Sequence, residues 1–174
     1  DTAVRMQKRE GNFVTAKTVI DEVGADNLIF FLLQQGANSH IDFDLELAKT
    51  RSMENPVYYV QYAYVRARSI LREAGKLARK VDYTQLHQPS ELRLIRELVS
   101  WPDMIQLTAK DFAVQRITRY ALDVARAFNA FYESERVLGE PEEIMQARLA
   151  LTSATTTVLK DIFHVLAISA PEKM

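Results

Sequence analysis

The chain has 174 residues and no cysteine. A disulfide framework, a thiolate nucleophile and a cysteine-ligated metal are therefore excluded, and a reducing cytoplasm is compatible with this composition. Glycine and proline are scarce, at five each, so few turns are available and long helices are expected. No run of about eighteen apolar residues is present to span a membrane as a helix, and no signal-peptide pattern opens the chain. Net charge is nearly missing too: 22 Lys and Arg against 23 Asp and Glu leave −1. Any contact with nucleic acid must then come from local clustering of cations rather than from the overall field. His40, His87 and His164 have no partner at metal-ligand spacing, and neither a G-x-G-x-x-G string, a P-loop nor a nucleophile motif occurs. No metal site is expected, and nothing in the chain assembles a complete catalytic site. The first residue is Asp rather than Met, which suggests a piece of a longer protein.

What is present is helix-forming sequence with clear punctuation. Hydrophobic residues make up 48%, enough for a packed core in ordinary globular proportion. Residues 1–14 read as a polar loop. Thr15 is placed to cap a short helix that Gly24 stops. A second short helix follows, with Asp26 in its first turn, the apolar run Leu28 to Leu33 as its body and Gly36 as its stop. Asp44 is placed to cap Leu45 to Thr50. Asn55-Pro56 pairs an N-cap side chain with proline at the first helical position. From there Val57, Val60, Tyr64, Ala67, Leu71, Ala74, Ala78 and Val81 recur at spacings of three and four, which predicts one long helix to about Lys80. After a loop to Pro89, Ser90 is the expected cap of a helix that the Trp101-Pro102 step interrupts. A second long helix carries Ala113, Ile117, Tyr120, Val124, Phe128 and Phe131. Gly139 and Pro141 separate it from a last helix, and residues 169–174 lie beyond it. No strand pattern competes. The expected fold is all-α, a helical bundle of four or five helices preceded by about fifty residues of short helices and loops.

Three groups of residues are chemically suggestive. Arg5, Lys8 and Arg9 beside Gly11 would suit a polyphosphate whose charge shifts during reaction, although a solvated turn has the same composition. Tyr59, Tyr62 and Arg66 fall on one side of the first long helix, away from its apolar face. Exposed tyrosines there would stack on unpaired bases while Arg66 holds a phosphate; packing at the rim of the core is the alternative. Arg66, Arg68, Arg72, Lys76, Arg79 and Lys80, interrupted only by Glu73, make the second half of that helix locally cationic. A phosphate backbone would suit it, and so would plain solvent.

Taken in order, these features resemble one family. Arg5-Met6-Gln7-Lys8-Arg9-Glu10-Gly11-Asn12-Phe13-Val14-Thr15 resembles the second signature of class I aminoacyl-tRNA synthetases, the Lys-Met-Ser-Lys-Ser loop, in the form found in arginine enzymes. Asp21 to Asp26 with Phe30 to Leu33, Asp42 to Leu45, and Asn55 to Ala63 resemble that family's next landmarks. Phe131-Tyr132-Glu133, Arg136-Val137-Leu138 and the ending Ala170 to Met174 resemble the later ones. The sequence departs from the family at Arg5 and Gln7, where Lys and Ser are usual, and at Tyr64, where His is common. Asn27 and Ile29 replace two members of the Asp-Ala-Leu-Arg string, of which Asp26 and Leu28 remain. The family's other signature, His-Ile-Gly-His, is not in the chain.

The resemblance implies a C-terminal part of an arginine–tRNA synthetase. Residues 1–52 would be the end of a catalytic domain and residues 53–174 an anticodon-binding helical bundle. Lys8 and Arg9 would be the catalytic residues, with Met6, Lys8 and Gly11 contacting nucleotide. Tyr59, Tyr62, Arg66, Tyr132, Arg136 and Met174 would bind the tRNA anticodon region. The implied partners are tRNA(Arg), with arginine and ATP (with Mg2+) serving the complete enzyme, and no membrane. The implied state is a monomer that holds no cofactor by itself. Related cysteine or methionine enzymes, or a bundle used only for protein contacts, are the competing readings.

Overall fold

The computed structural model describes residues 14–36 and 39–174. Among the described residues there is no strand, and the order is α1 (Ala16–Val23), α2 (Ala25–Leu33), α3 (Leu45–Lys49), α4 (Pro56–Ala74), α5 (Pro89–Val99), α6 (Trp101–Asp111), α7 (Gln115–Ser134) and α8 (Glu142–Leu166). A single 3-10 turn, Tyr83–Gln85, sits between α4 and α5. The all-α expectation holds, and three short helices, α1 to α3, come before the five that form the bundle, α4 to α8.

Side-chain caps set most of the expected starts. Thr15 accepts from the Thr18 amide at 3.1 Å, and Asp44 accepts from the Leu47 amide at 2.9 Å. Asn55 does more than cap α4. Its Oδ1 accepts from the Val57 amide at 2.9 Å, while its Nδ2 donates to Asn27 Oδ1 at 3.0 Å and to the carbonyls of Ala48 and Thr50 at 3.2 and 3.0 Å. Such a cap contributes about 1 kcal/mol, and here it also fixes α4 against α2 and α3. Asn27, a departure from the family string, is thus part of the joint between the leading helices and the bundle. Ile29, the other departure, is half-buried and packs against the core.

The structure corrects four boundaries. α4 ends at Ala74, six residues before Lys80, because Gly75 takes φ 78° and its amide bonds back to the Leu71 carbonyl. A left-handed φ is accessible to glycine and costly for other residues. Ala78 and Val81 therefore continue the apolar spacing without continuing the helix, and Lys76, Arg79 and Lys80 leave its cationic face. α2 stops at Leu33, before Gly36. α5 begins two residues earlier than Ser90 would set it: Gln88 is the cap, and its amide donates to Glu91 Oε2 at 2.8 Å, half of a capping box. The stretch after Trp101 is a full helix, ended by Phe112 in the left-handed region, and α7 starts at Gln115.

The core lies where α4, α7 and α8 meet, with α5 closing the side of α7. Val60, Ala67, Val124, Phe128, Phe131, Leu159 and Ile162 are fully buried there. Tyr64 meets Phe163 edge-on at 5.4 Å between centroids, and Trp101 stacks on Tyr120 at 5.6 Å. Small residues on the buried faces, Ala63 and Ala67 on α4 with Ala121 and Ala125 on α7, let helices approach closely. Each Leu, Ile or Phe enclosed this way contributes about 1.5–3 kcal/mol. The result is a rigid scaffold for the side chains on its outer faces.

Candidate nucleic-acid interface

Tyr58, Tyr62 and Arg66 stand one helical turn apart on α4, so their side chains line up along its axis. The rings of Tyr58 and Tyr62 stack at 6.0 Å with 10° between planes. The Arg66 guanidinium carbon lies 4.6 Å from the Tyr62 ring centroid and 4.5 Å from that of Tyr132, which projects from α7. Arg66 also donates to the Tyr62 hydroxyl at 3.0 Å and to Asn129 Oδ1 at 3.1 Å. Tyr132 is 42% exposed and leans on Phe128 at 6.4 Å, which joins the array to the core.

This arrangement has clear chemical consequences. A cation held against aromatic faces is stabilised by about 0.5–2 kcal/mol, and no ion pair among the described residues engages Arg66. Its charge stays available to an anion while its plane is fixed. Asn129 is 6% exposed, and its Nδ2 is a buried donor with no partner among the described residues. Because Oδ1 faces the guanidinium, turning the amide over would set donor against donor. The seam between α4 and α7 therefore carries stacking surface, a cation and an unused donor together.

Of the residues expected from the sequence, the structure gathers Tyr62, Arg66 and Tyr132. Tyr59 is half-buried and packs against the core, with no ring contact to that array. Arg136 is exposed just past α7, its guanidinium against Gly139, where a Cβ would come within 3.3 Å of Nη2. Met174 is 49% exposed at the chain end. Met6, Lys8, Arg9 and Gly11 lie outside the described residues. Tyr58 and Asn129 were the members missed. The i, i+4 register of Tyr58, Tyr62 and Arg66 was a signal for the first, whereas Asn129 is set by packing between helices.

A buried ionic network holds the end of α7 that carries Tyr132. Arg148 on α8 donates to Glu91 at 2.8 Å, to Glu135 at 2.7 Å and to the Arg136 carbonyl at 2.8 Å. Ser90 donates to Glu135 at 3.0 Å, which is the role it has in place of the cap. Glu91 is 0% exposed, so its charge depends on these partners. Among the described residues no group of three His, Asp or Glu side chains is placed to hold a metal, and no helix is long and apolar enough to cross a membrane.

The all-α bundle of α4 to α8 places the chain in a known class of helical domain. Residues 60–174 match the DALR anticodon binding domain family, and the chain belongs to that family. It is similar over nearly all its length to arginine–tRNA ligases. The ligase of Desulforudis audaxviator is 46% identical over 178 residues, covering 98% of this chain and 32% of that protein. That of Moorella thermoacetica is 42% identical over 177 residues, again covering 98% of this chain and 32% of that protein. The structure of Thermus thermophilus arginyl-tRNA synthetase superposes with a TM-score of 0.80 at 28% identity, over 96% of this chain and 29% of that one. The chain thus spans about a third of the curated relatives it matches.

Proposed function

We propose that the chain is the anticodon-binding portion of an arginine–tRNA ligase and engages the anticodon loop of tRNA(Arg) at the α4–α7 seam. The observation that carries this reading is Arg66 held between Tyr62 and Tyr132. Single-stranded RNA loops are read by splaying bases onto aromatic or guanidinium surfaces, and each such stack contributes about 1–3 kcal/mol. In this reading Tyr58, Tyr62 and Tyr132 offer the stacking faces, Arg66 meets a phosphate or a base face, and the buried Asn129 holds the guanidinium in place through its Oδ1. Tyr59, Arg136 and Met174 would add contacts to the RNA from the same helix, the segment after α7 and the tail.

The complete enzyme would join arginine and ATP to give arginyl-adenylate and pyrophosphate. The terminal hydroxyl of the tRNA would then attack the arginyl carbonyl and release AMP. In that reaction Lys8, helped by Arg9, stabilises the charge moving to pyrophosphate, with Met6 and Gly11 beside the nucleotide and Mg2+ accompanying ATP. Residues 1–52 would form the end of the catalytic domain and residues 53–174 the binding bundle. The similarity to arginine enzymes favours this over the cysteine and methionine alternatives.

Affinity for an arginine tRNA, compared with the same tRNA carrying a changed central anticodon base, tests the proposal. The unchanged tRNA should bind more tightly, and Tyr132→Ala should weaken it by about 1–3 kcal/mol. Equal affinity for both tRNAs would remove the anticodon assignment. ATP–pyrophosphate exchange by the chain alone should be absent; a clean preparation that exchanges would refute the division of labour between the two regions.

A further inference from the structure

A second cationic surface lies on the other side of α4. Arg68 and Arg72 on α4 face Lys160, Thr156 and Thr157 on α8 across a groove of about 480 Å³ whose lining also includes Tyr64 and Leu71. Both arginines and Lys160 are exposed, and no ion pair among the described residues engages any of them. Arg68 sits 5.9 Å from the Tyr64 ring centroid, and Arg72 donates to the Ser69 hydroxyl at 3.0 Å. Both contacts orient a guanidinium without cancelling its charge. Thr156 and Thr157 both donate their hydroxyls back to the Ser153 carbonyl, at 2.8 and 3.1 Å, so the donors the groove presents to an anion are its three cations. The groove is unsuited to an apolar ligand, since it is open and its walls carry three uncompensated positive charges. In a chain with a net charge of −1, such a concentration is a local feature.

Its position says which anion it suits. Tyr58, Tyr62, Val65, Ser69 and Arg72 follow one another at spacings of four, three, four and three, and so form one ridge of α4. The aromatic array borders that ridge at the α7 seam, and the cationic groove borders it at the α8 seam. From Tyr62 to Arg72 the helix rises about 15 Å, the span of a few consecutive nucleotides. We infer that the Arg68–Arg72–Lys160 groove between α4 and α8 is a sequence-independent phosphate-backbone site, which holds the strand leading away from the nucleotides stacked at Tyr62 and Tyr132. The inference rests on the anticodon-loop reading for its choice of RNA. It adds a second contact surface, built from α8, that carries affinity rather than specificity.

The salt dependence of tRNA binding by the full chain tests it. The triple variant R68A/R72A/K160A removes three exposed side chains and should keep the wild-type helical signal and melting temperature. Each phosphate contact contributes about 0.7–0.9 to the slope of log K against log salt. The triple variant should therefore lose about two units of slope, and its affinity near 0.1 M salt should drop by one to two orders of magnitude. Its preference for the correct anticodon should be unchanged. R68K/R72K should retain the wild-type slope. An unchanged slope in the triple variant, with anticodon preference intact, overturns the groove and leaves the anticodon reading standing. A reduced slope in a chain that never distinguished anticodons supports the groove and removes the anticodon reading. No tRNA binding by the wild-type chain at low salt overturns both.

Discussion

Asp26 accepts hydrogen bonds from both the amide and the hydroxyl of Ser169, a residue 143 positions further along the chain, with the amide contact at 3.1 Å. Gln61 on α4 closes the junction by donating to Asp26 at 2.9 Å and to the Ser169 carbonyl at 3.1 Å. The start of α2, the first half of α4 and the tail after α8 therefore meet at one carboxylate. Asp26→Ala should speed hydrogen exchange of the Ser169 amide and loosen residues 170–174. The stability cost should be about 1 kcal/mol, since the group is partly exposed. An unaltered exchange rate at Ser169 would show that the tail is held by Ile168 packing alone.

The Arg148 network predicts an asymmetry between single and double variants. Arg148→Met leaves the Glu91 charge enclosed and uncompensated, and should cost about 3–5 kcal/mol in urea unfolding. Arg148→Met with Glu91→Leu removes both charges and should recover a large part of that loss. A double variant as unstable as the single one would mean that the network acts through shape and not through charge.

Alkaline stability should depend on Tyr120. Burial, with the charge of Glu97 added, pushes its hydroxyl above the ordinary value of 10.0, and that hydroxyl donates to the Glu97 carbonyl. The unfolded chain then ionises this phenol first, so the folded state binds more protons above about pH 10. Stability is fully present below that point and declines as pH rises beyond it. Tyr120→Phe should be less stable at neutral pH but show a shallower alkaline decline. Parallel alkaline slopes for the two proteins in urea titrations would rule this out.

Arg66 gives a test of geometry against charge. Arg66→Lys keeps the positive charge and loses the planar group that lies on both rings. Its tRNA affinity should fall about as far as that of Arg66→Ala, by roughly 1–2 kcal/mol. Full retention of affinity in Arg66→Lys would mean that charge alone matters at this seam.

Much of the fold was legible because its signals are local. Thr15, Asp44 and the Asn55-Pro56 pair announce three helix starts through hydrogen bonds formed within three residues. Gly24 and the Trp101-Pro102 step mark two ends. The apolar spacing failed where it ran past α4, because Ala78 and Val81 keep the helical period after Gly75 has reversed the backbone. Periodicity reports which residues seek the core; it does not report whether they reach it along one helix. Gly75 was the stronger sign, since an interior glycine followed by Lys76 resembles a helix C-terminus.

The candidate site was half legible. The Tyr62–Arg66 pairing follows from a four-residue spacing, and so does Tyr58. That Tyr132 completes the cage, that Asn129 aims Arg66, and that Lys160 faces Arg68 and Arg72 all depend on how α7 and α8 lie against α4. Those contacts join residues 63 to 92 positions apart, and no short-range rule reaches that far.

The sequence by itself determined the helical class, most of the helix starts and the family, because caps, prolines and apolar spacing act over one or two turns. Only the tertiary structure decided which tyrosines share a surface and where unpaired cations converge. Burial chooses one face of each helix, and the partner it meets there is fixed by packing, which no single segment contains.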